Sequence, residues 1–296
     1  MKLFAIIAPT ASGKTALSIE LAHKLNAVIL SLDSLAVYKQ IDIASAKPTL
    51  DERDGIVHFG IDCVYPNEVF DVIEFYEEYE KAKKYAQSNN KNLIIVGGTG
   101  FYLKALIDGL SKTPTLSKST KELVQNELLE LPQLYEKLYS VDKVYMKKIA
   151  LNDRYRIKKA AEIYFETQLT PSEYFLQNKP KPIVSNLPIF EIETDSSILK
   201  DRIKKRTHTM LKDGLIDEVI FLEKNYTRAQ KCMNSIGISE TFEYLDCKID
   251  RQELENLICI HTAQLAKRQR TFNKSQFKNV IKAELKDIKE IILSHS

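Results

Sequence analysis

The sequence predicts an α/β fold: a parallel sheet core with a helical insertion and a helical C-terminal part. Three observations carry that prediction. Short, almost wholly apolar runs at residues 3–8, 27–31 and 92–96 alternate with helical periodicity, the pattern of strands buried on both faces and joined by crossover helices. Residues 111–176 carry almost no strand signal. A further strand, residues 188–192, returns after them, and mainly helical sequence follows.

Taken in order, residues 3–8 form a short buried strand, and Pro9-Thr10-Ala11-Ser12-Gly13 a loop that opens a helix from Lys14 to about Leu25. Residues 27–31 form the second strand. Residues 70–87 are helical, because Val72, Phe75, Tyr76 and Tyr79 fall at i, i+3, i+4 and i+7, an apolar stripe that faces a core. The strand 92–96 is stopped by Gly97-Gly98. Helices are predicted over 121–131, 133–139 and 152–165, then over 196–212, 214–224, 240–245 and 251–272. Thr113-Pro114-Thr115 and Lys179-Pro180-Lys181-Pro182 bracket the middle segment as hinges. The expected organisation is a P-loop-like core at 1–110 and 185–296, with a helical insertion at 111–184.

The length, 296 residues, fits one large domain or two modest ones. With 44% apolar and 28% charged residues the chain is neither disordered nor fibrous. The four cysteines, Cys63, Cys232, Cys247 and Cys259, form no CxxC pair, which argues against a zinc site and fits a reducing cytosol. The apolar start is only six residues long, too short for an export signal. No run approaches the roughly 18 apolar residues of a membrane helix. A cytoplasmic monomer is expected.

The formal charge of +3 hides a separation. Segments 143–159, 200–212 and 267–282 together hold 19 basic and 2 acidic residues, whereas the other 250 residues hold 24 and 38. These segments read either as solvated helix faces or as a surface for a polyanion. In 152–166, Ile157, Ala160, Ala161 and Tyr164 face inward, leaving Arg154, Arg156, Lys158 and Lys159 mostly toward solvent. Phe272 stands by Lys267, Arg268 and Arg270, a setting compatible with stacking on a base.

The strongest motif is Ala8-Pro9-Thr10-Ala11-Ser12-Gly13-Lys14-Thr15. It is a P-loop, as in ATP-binding proteins, with Ala at the first position, set between a strand and a helix. Its N–H groups and the helix N-terminus suit a phosphate chain, Lys14 the outer phosphate, and the Thr15 hydroxyl Mg²⁺. The strand at 92–96 ends without a carboxylate. The acid nearest a strand end is Asp33, placed to take a proton from a nucleophile or to cap a turn. Gly97-Gly98-Thr99-Gly100 allows close backbone approach to a ligand, or is simple strand-to-helix geometry. His23, His58, His208, His261 and His295 sit in no nucleophile motif and read as structural or exposed.

The P-loop is followed by Asp33-Ser34-Leu35-Ala36-Val37-Tyr38-Lys39, Ala44-Ser45-Ala46-Lys47-Pro48-Thr49, His58 with Ile61-Asp62, Gly97-Gly98-Thr99-Gly100-Phe101-Tyr102, Asn152-Asp153-Arg154-Tyr155-Arg156 and Gln264-Leu265-Ala266-Lys267-Arg268-Gln269. From about residue 3 to 272 the whole resembles the bacterial tRNA dimethylallyltransferases, also called tRNA isopentenyltransferases. The resemblance implies transfer of a dimethylallyl group from dimethylallyl diphosphate to N6 of the adenosine beside the anticodon, with Mg²⁺. It implies that Asp33 orients the amine and takes its proton, that Thr99 touches the substrate, and that Ala8 to Thr15 hold the diphosphate. It further implies tRNA anticodon-arm contacts at Asp33, Ser34, Leu35, Ala36, Lys121, Tyr155, Arg156, Ile157, Lys158, Lys159, Asn234, Ser235, Ile236, Gly237, Ile238 and Ser239. Ala8, Ile238, Ser239, Ala263 and Phe272 depart from the family's usual residues. A P-loop small-molecule or nucleotide kinase, with Asp33 as its base, explains the P-loop but not the basic segments. A non-enzymatic RNA-binding module leaves Lys14, Thr15 and Asp33 unexplained.

Overall fold

The computed structural model describes residues 1–295 and divides the chain into two compact units, Met1–Ile107 with Val184–Ser296, and Asp108–Ile183. Before the insertion run β1 (Leu3–Ile7), α1 (Lys14–Lys24), β2 (Ala27–Leu32), β3 (His58–Phe59), α2 (Val72–Ser88), β4 (Asn92–Gly97) and α3 (Gly100–Asp108). Then come α4 (Lys118–Glu127), α5 (Leu131–Val141), α6 (Lys143–Met146), α7 (Arg154–Thr167) and α8 (Pro171–Gln177). After it run β5 (Ile189–Glu193), α9 (Ser196–Lys212), α10 (Leu215–Asn225), α11 (Ile238–Leu245), α12 (Arg251–Gln276), β6 (Ile281–Glu284) and α13 (Leu285–His295).

The sheet of the first unit is parallel throughout, in the order β3-β2-β4-β1-β5-β6. Its strands are apolar because helices cover both faces. On one face Leu17 and Leu21 of α1 and Ile288 and Ile292 of α13 pack against Phe4, Ile29 and Phe190. On α2, an Asp71–Glu74 capping box starts the helix, and Phe75, Tyr79, Ala82 and Ala86 are buried. Phe75 stacks on Tyr102 of α3 with ring centroids 4.6 Å apart. Gly97 is in register with both Ile7 and Leu32. The three strands therefore end level, and the loops that follow them open on one edge of the sheet.

The short helices α6 and α8 lie outside the sequence-based expectation, as do β3, β6 and α13. β3 has two residues, too few for any periodicity. β6 alternates half-buried and exposed residues inside a basic segment, so its charge masks an edge strand. α13 closes the core, with Ile288 and Ile292 fully buried, and Lys289 pairs with Glu20 of α1 at 2.5 Å. Predicted helix ends shift by a few residues. α12 runs on to Gln276 and α4 stops at Glu127.

The second unit is all helical, around Val124, Leu134, Leu138, Met146, Ile157 and Ala160. Asp142 staples it: its carboxylate caps α6 at Tyr145 N and accepts from both N and Oγ of Ser172 at the start of α8. Ile157 is fully buried in this core. Its side chain holds α7 in place and does not face a ligand, which corrects the expectation of a tRNA contact there. Among the described residues no helix is long and apolar enough to cross a membrane.

Candidate functional site: a cationic crevice at the sheet edge

The loops after β1, β2 and β4 line a crevice of about 360 Å³. Loop 8–13 reaches it through unusual backbone. Gly13 has φ 91° and Ala11 φ 62°, the left-handed region that glycine enters freely and alanine only under constraint. Ala11 is constrained by packing against Leu199, Ile203 and Ala266. Ala8, in the place of the motif's first glycine, is fully buried and not left-handed, so the backbone there does not call for glycine.

α9 and α12 hold this loop. Arg206 donates to Thr10 Oγ1 at 3.0 Å and Arg202 to Ser12 O at 3.0 Å. The Thr10 N–H donates to Gln269 Oε1 at 2.9 Å. Lys14 Nζ rests 3.3 Å from Pro9 O and lines the crevice with Thr15. Burial, and after it the Arg206 guanidinium, lowers the Lys14 ammonium to about 8, while Asp33 pulls the other way. Burial lowers Arg206 too, again opposed by Asp33.

Asp33 follows β2 and lines the crevice. Its Oδ1 accepts the N–H groups of Leu35 and Ala36 at 2.8 and 3.1 Å. Asp33 therefore does cap a turn, and Oδ2 is left to meet a donor in the crevice. Thr99 lines the same space, its N–H bonded to Leu32 O. The glycines around Thr99 serve backbone approach to the protein itself. A Cβ at Gly97 would strike Leu32 of β2, one at Gly98 would strike Gln269, and one at Gly100 would come within 2.7 Å of Phe272. Replacing Gly97 with alanine is expected to cost about 2–3 kcal/mol of stability, the scale of overpacking against rigid backbone. The midpoint of urea unfolding checks this.

Four lining residues, Ile203, Arg206 and Met210 of α9 and Ile258 of α12, belong to no sequence motif, whereas Leu265, Arg268 and Gln269 of α12 fall in the Gln264–Gln269 run. Residues 44–48, another wall, are anchored by Glu218 of α10, which accepts the N–H groups of Asp42, Ile43 and Ala44 at 2.7, 2.7 and 2.9 Å. Burial raises the Glu218 carboxyl against the pull of those bonds. Lys47 is paired with Asp42 and Asp62. His58, read from sequence as structural or exposed, lines the crevice. Its Nδ1 lies 2.8 Å from Ile56 O, and burial lowers its pKa.

Of the expected tRNA-contacting residues, Ser34, Leu35, Ala36, Asn234, Ser235 and Ile236 line the crevice with Asp33. Ile238 is fully buried, so a side-chain contact with RNA there is corrected: the residue anchors α11. Gly237 is buried as well, and with Ser239 Oγ it donates to Glu240. Phe272, expected free for stacking, covers Gly100 and meets Phe277 edge-on. In the second unit Lys121, Tyr155 and Arg156 are exposed, and Lys158 and Lys159 are half-buried beside Glu162.

The charged lining residues are Lys14, Lys47, Arg206 and Arg268 against Asp33 alone. With Lys47 paired to Asp42 and Asp62, Lys14, Arg206 and Arg268 still outnumber Asp33, and such a crevice beside apolar walls suits a ligand with an anionic head and an apolar tail.

Comparison with known proteins agrees with this chemistry. Residues 36–276 match the family model described as IPP transferase. The chain is 60% identical over 279 residues to the tRNA dimethylallyltransferase of Aliarcobacter butzleri, covering 94% of each chain. It is 53% identical over 294 residues to that of Sulfurovum sp., covering 99% of this chain and 98% of the relative. Among solved structures it is similar to the full-length tRNA isopentenylpyrophosphate transferase of Bacillus halodurans, with TM-score 0.72, 29% identity, and 99% and 96% of the two chains covered. A eukaryotic dimethylallyltransferase acting on tRNA gives TM-score 0.81 at 25% identity, covering 99% of this chain and 78% of the other.

Proposed function

The chain belongs to the IPP transferase family and is a tRNA dimethylallyltransferase, and from that premise we propose how its crevice carries out the transfer. The observation that carries the mechanism is the excess of buried positive charge around loop 8–15. The diphosphate of dimethylallyl diphosphate lies on the loop N–H groups and the start of α1, with Lys14 and Arg206 at its oxygens. The allyl carbon faces Asp33 and Thr99. Ile29, Ile61, Ile203 and Leu265 line the crevice and keep water from the reactive carbon.

In the reaction the bond between C1 and the diphosphate oxygen breaks, and its electron pair leaves with diphosphate. Lys14, Arg206 and the loop N–H groups meet the charge that builds there. The N6 nitrogen of the target adenine forms the new C–N bond, and Asp33 Oδ2 takes the proton released from that nitrogen. The products are N6-isopentenyladenosine in tRNA and diphosphate. The donor set fits Mg²⁺, because Thr15 and Asp33 offer oxygen atoms beside the cradle and this ion takes one or two protein oxygens with phosphate oxygens and water. Thr15 would hold it, and bound there it would supply further charge neutralisation for the leaving group.

The target is the adenosine beside the anticodon, whose base must leave its stack to enter the crevice. Lys121, Tyr155, Arg156, Lys158 and Lys159 grip the anticodon arm, and residues 234–236 meet the extruded base. Tyr155, 70% exposed, supplies a ring for stacking. Such a surface makes affinity fall with salt. For about six phosphate contacts the tRNA association constant should drop more than about tenfold between 100 and 200 mM salt. A flat response in a filter-binding titration would remove the phosphate contacts from this account.

The direct test is incubation with undermodified tRNA, labelled dimethylallyl diphosphate and Mg²⁺, followed by identification of the modified nucleoside. Label in N6-isopentenyladenosine beside the anticodon is expected. A folded protein that transfers no label contradicts the mechanism.

A further inference from the structure

We infer that Gln269 is a positioning residue that ties the diphosphate loop to the Gly97-Gly98-Thr99 turn, so that the two sides of the reacting centre are held as one body. The inference rests on the diphosphate reading above.

Gln269 lies within α12 and lines the crevice. Each end of its amide meets a different loop. Oε1 accepts the Thr10 N–H at 2.9 Å, which fixes the start of the phosphate loop. Nε2 lies directly over Gly98, where an added Cβ would collide with it and come within 3.1 Å of Cδ. Gly98 is therefore bare because Gln269 passes over it on the way to Thr10. Its neighbours are bare for other reasons, Gly97 against Leu32 and Gly100 against Phe272. Arg206 and Arg202 also hold the loop, but both tie it to α9. Gln269 ties it to α12 and packs its amide on Gly98, in the turn that carries Thr99.

The physical consequence is a coupling. With the amide removed, the Thr10 N–H loses its acceptor, and the loop beyond the Ala8 N–H to Gly97 O bond is no longer held toward Thr99. With a methyl group at Gly98, the amide is pushed off Thr10 and the same bond is lost. The two changes break one interaction, so their effects should not add.

The test measures affinity for inorganic diphosphate by calorimetry, with kcat and KM for dimethylallyl diphosphate and Kd for tRNA, in Gln269→Ala, Gly98→Ala and the double variant. Gln269→Met is included because it keeps the side chain's length and removes its polar atoms. Each single change should weaken diphosphate binding and raise KM about tenfold, the effect of one buried hydrogen bond. It should also lower kcat and leave tRNA affinity unchanged. The double variant should be no worse than the worse single one. A merely structural role would lower the melting temperature without this selective loss of diphosphate. Additive losses, or a folded Gln269→Met that binds diphosphate like the wild type, would overturn the inference. If Gln269→Ala does not fold, Gln269→Met decides alone. Wild-type protein that binds no diphosphate would instead defeat the cradle reading, and this inference with it.

Discussion

Lys14→Ala should lower kcat/KM for dimethylallyl diphosphate by at least about 10²-fold, the usual loss when a charge-stabilising group is removed from a water-poor site. The loss should appear in kcat as well as KM, because negative charge on the leaving oxygen grows toward the transition state. The pH profile gives a sharper check. Burial and Arg206 hold the free enzyme's Lys14 at about 8, below the ordinary lysine value. As pH rises through 8 the ammonium loses its proton, so kcat/KM should fall on that side. Lys14→Arg, whose guanidinium stays charged, should lack this limb even if its overall rate is lower. Stability should run the opposite way. Between about 8 and the ordinary value the unfolded chain holds a proton that the folded chain has lost, so the empty enzyme gains stability as pH rises through that window. Near-wild-type turnover in Lys14→Ala would defeat the assigned role.

Asp33→Asn should lower kcat at least about 10²-fold, on the scale of a lost general base. Asparagine keeps an oxygen that can accept from Leu35 and Ala36 N–H, so the turn at the head of the crevice survives while the proton acceptor is gone. Binding of tRNA and of diphosphate should therefore change little. Asp33→Ala removes both, and should lose rate at least as severely and some stability as well. Single-turnover rates with saturating tRNA separate chemistry from binding. A single-turnover rate unchanged in Asp33→Asn would show that another group takes the amine proton.

Much of this site could be read from the chain because its chemistry is local. A phosphate loop is a run of eight residues between a strand and a helix, and a carboxylate directly after β2 can only emerge at the same sheet edge. The helical insertion was equally plain, since a long stretch without strand signal cannot extend a sheet. Ile157 and Ile238 show the limit. The family resemblance implied RNA contacts at both; helical periodicity already turned Ile157 inward, and the fold buries Ile238 as well. Phe272, beside its basic neighbours, is half-buried and its ring also covers Gly100, a contact the local sequence does not show.

The amino-acid order alone thus determined the parallel core and the two loops at its edge that carry Lys14 and Asp33, because each depends on neighbours a few residues apart. Tertiary structure decided how the crevice is closed and charged. Arg206 reaches Thr10 across 196 residues, Gln269 reaches it across 259, and Glu218 reaches Asp42 across 176. These contacts follow from how α9, α10 and α12 lie against the sheet edge, and no local periodicity encodes that. β6 and α13 were likewise invisible until folded: a four-residue edge strand has too little pattern to stand out, and the apolar face of α13 acquires meaning only where α1 leaves Ile288 and Ile292 a place to be buried.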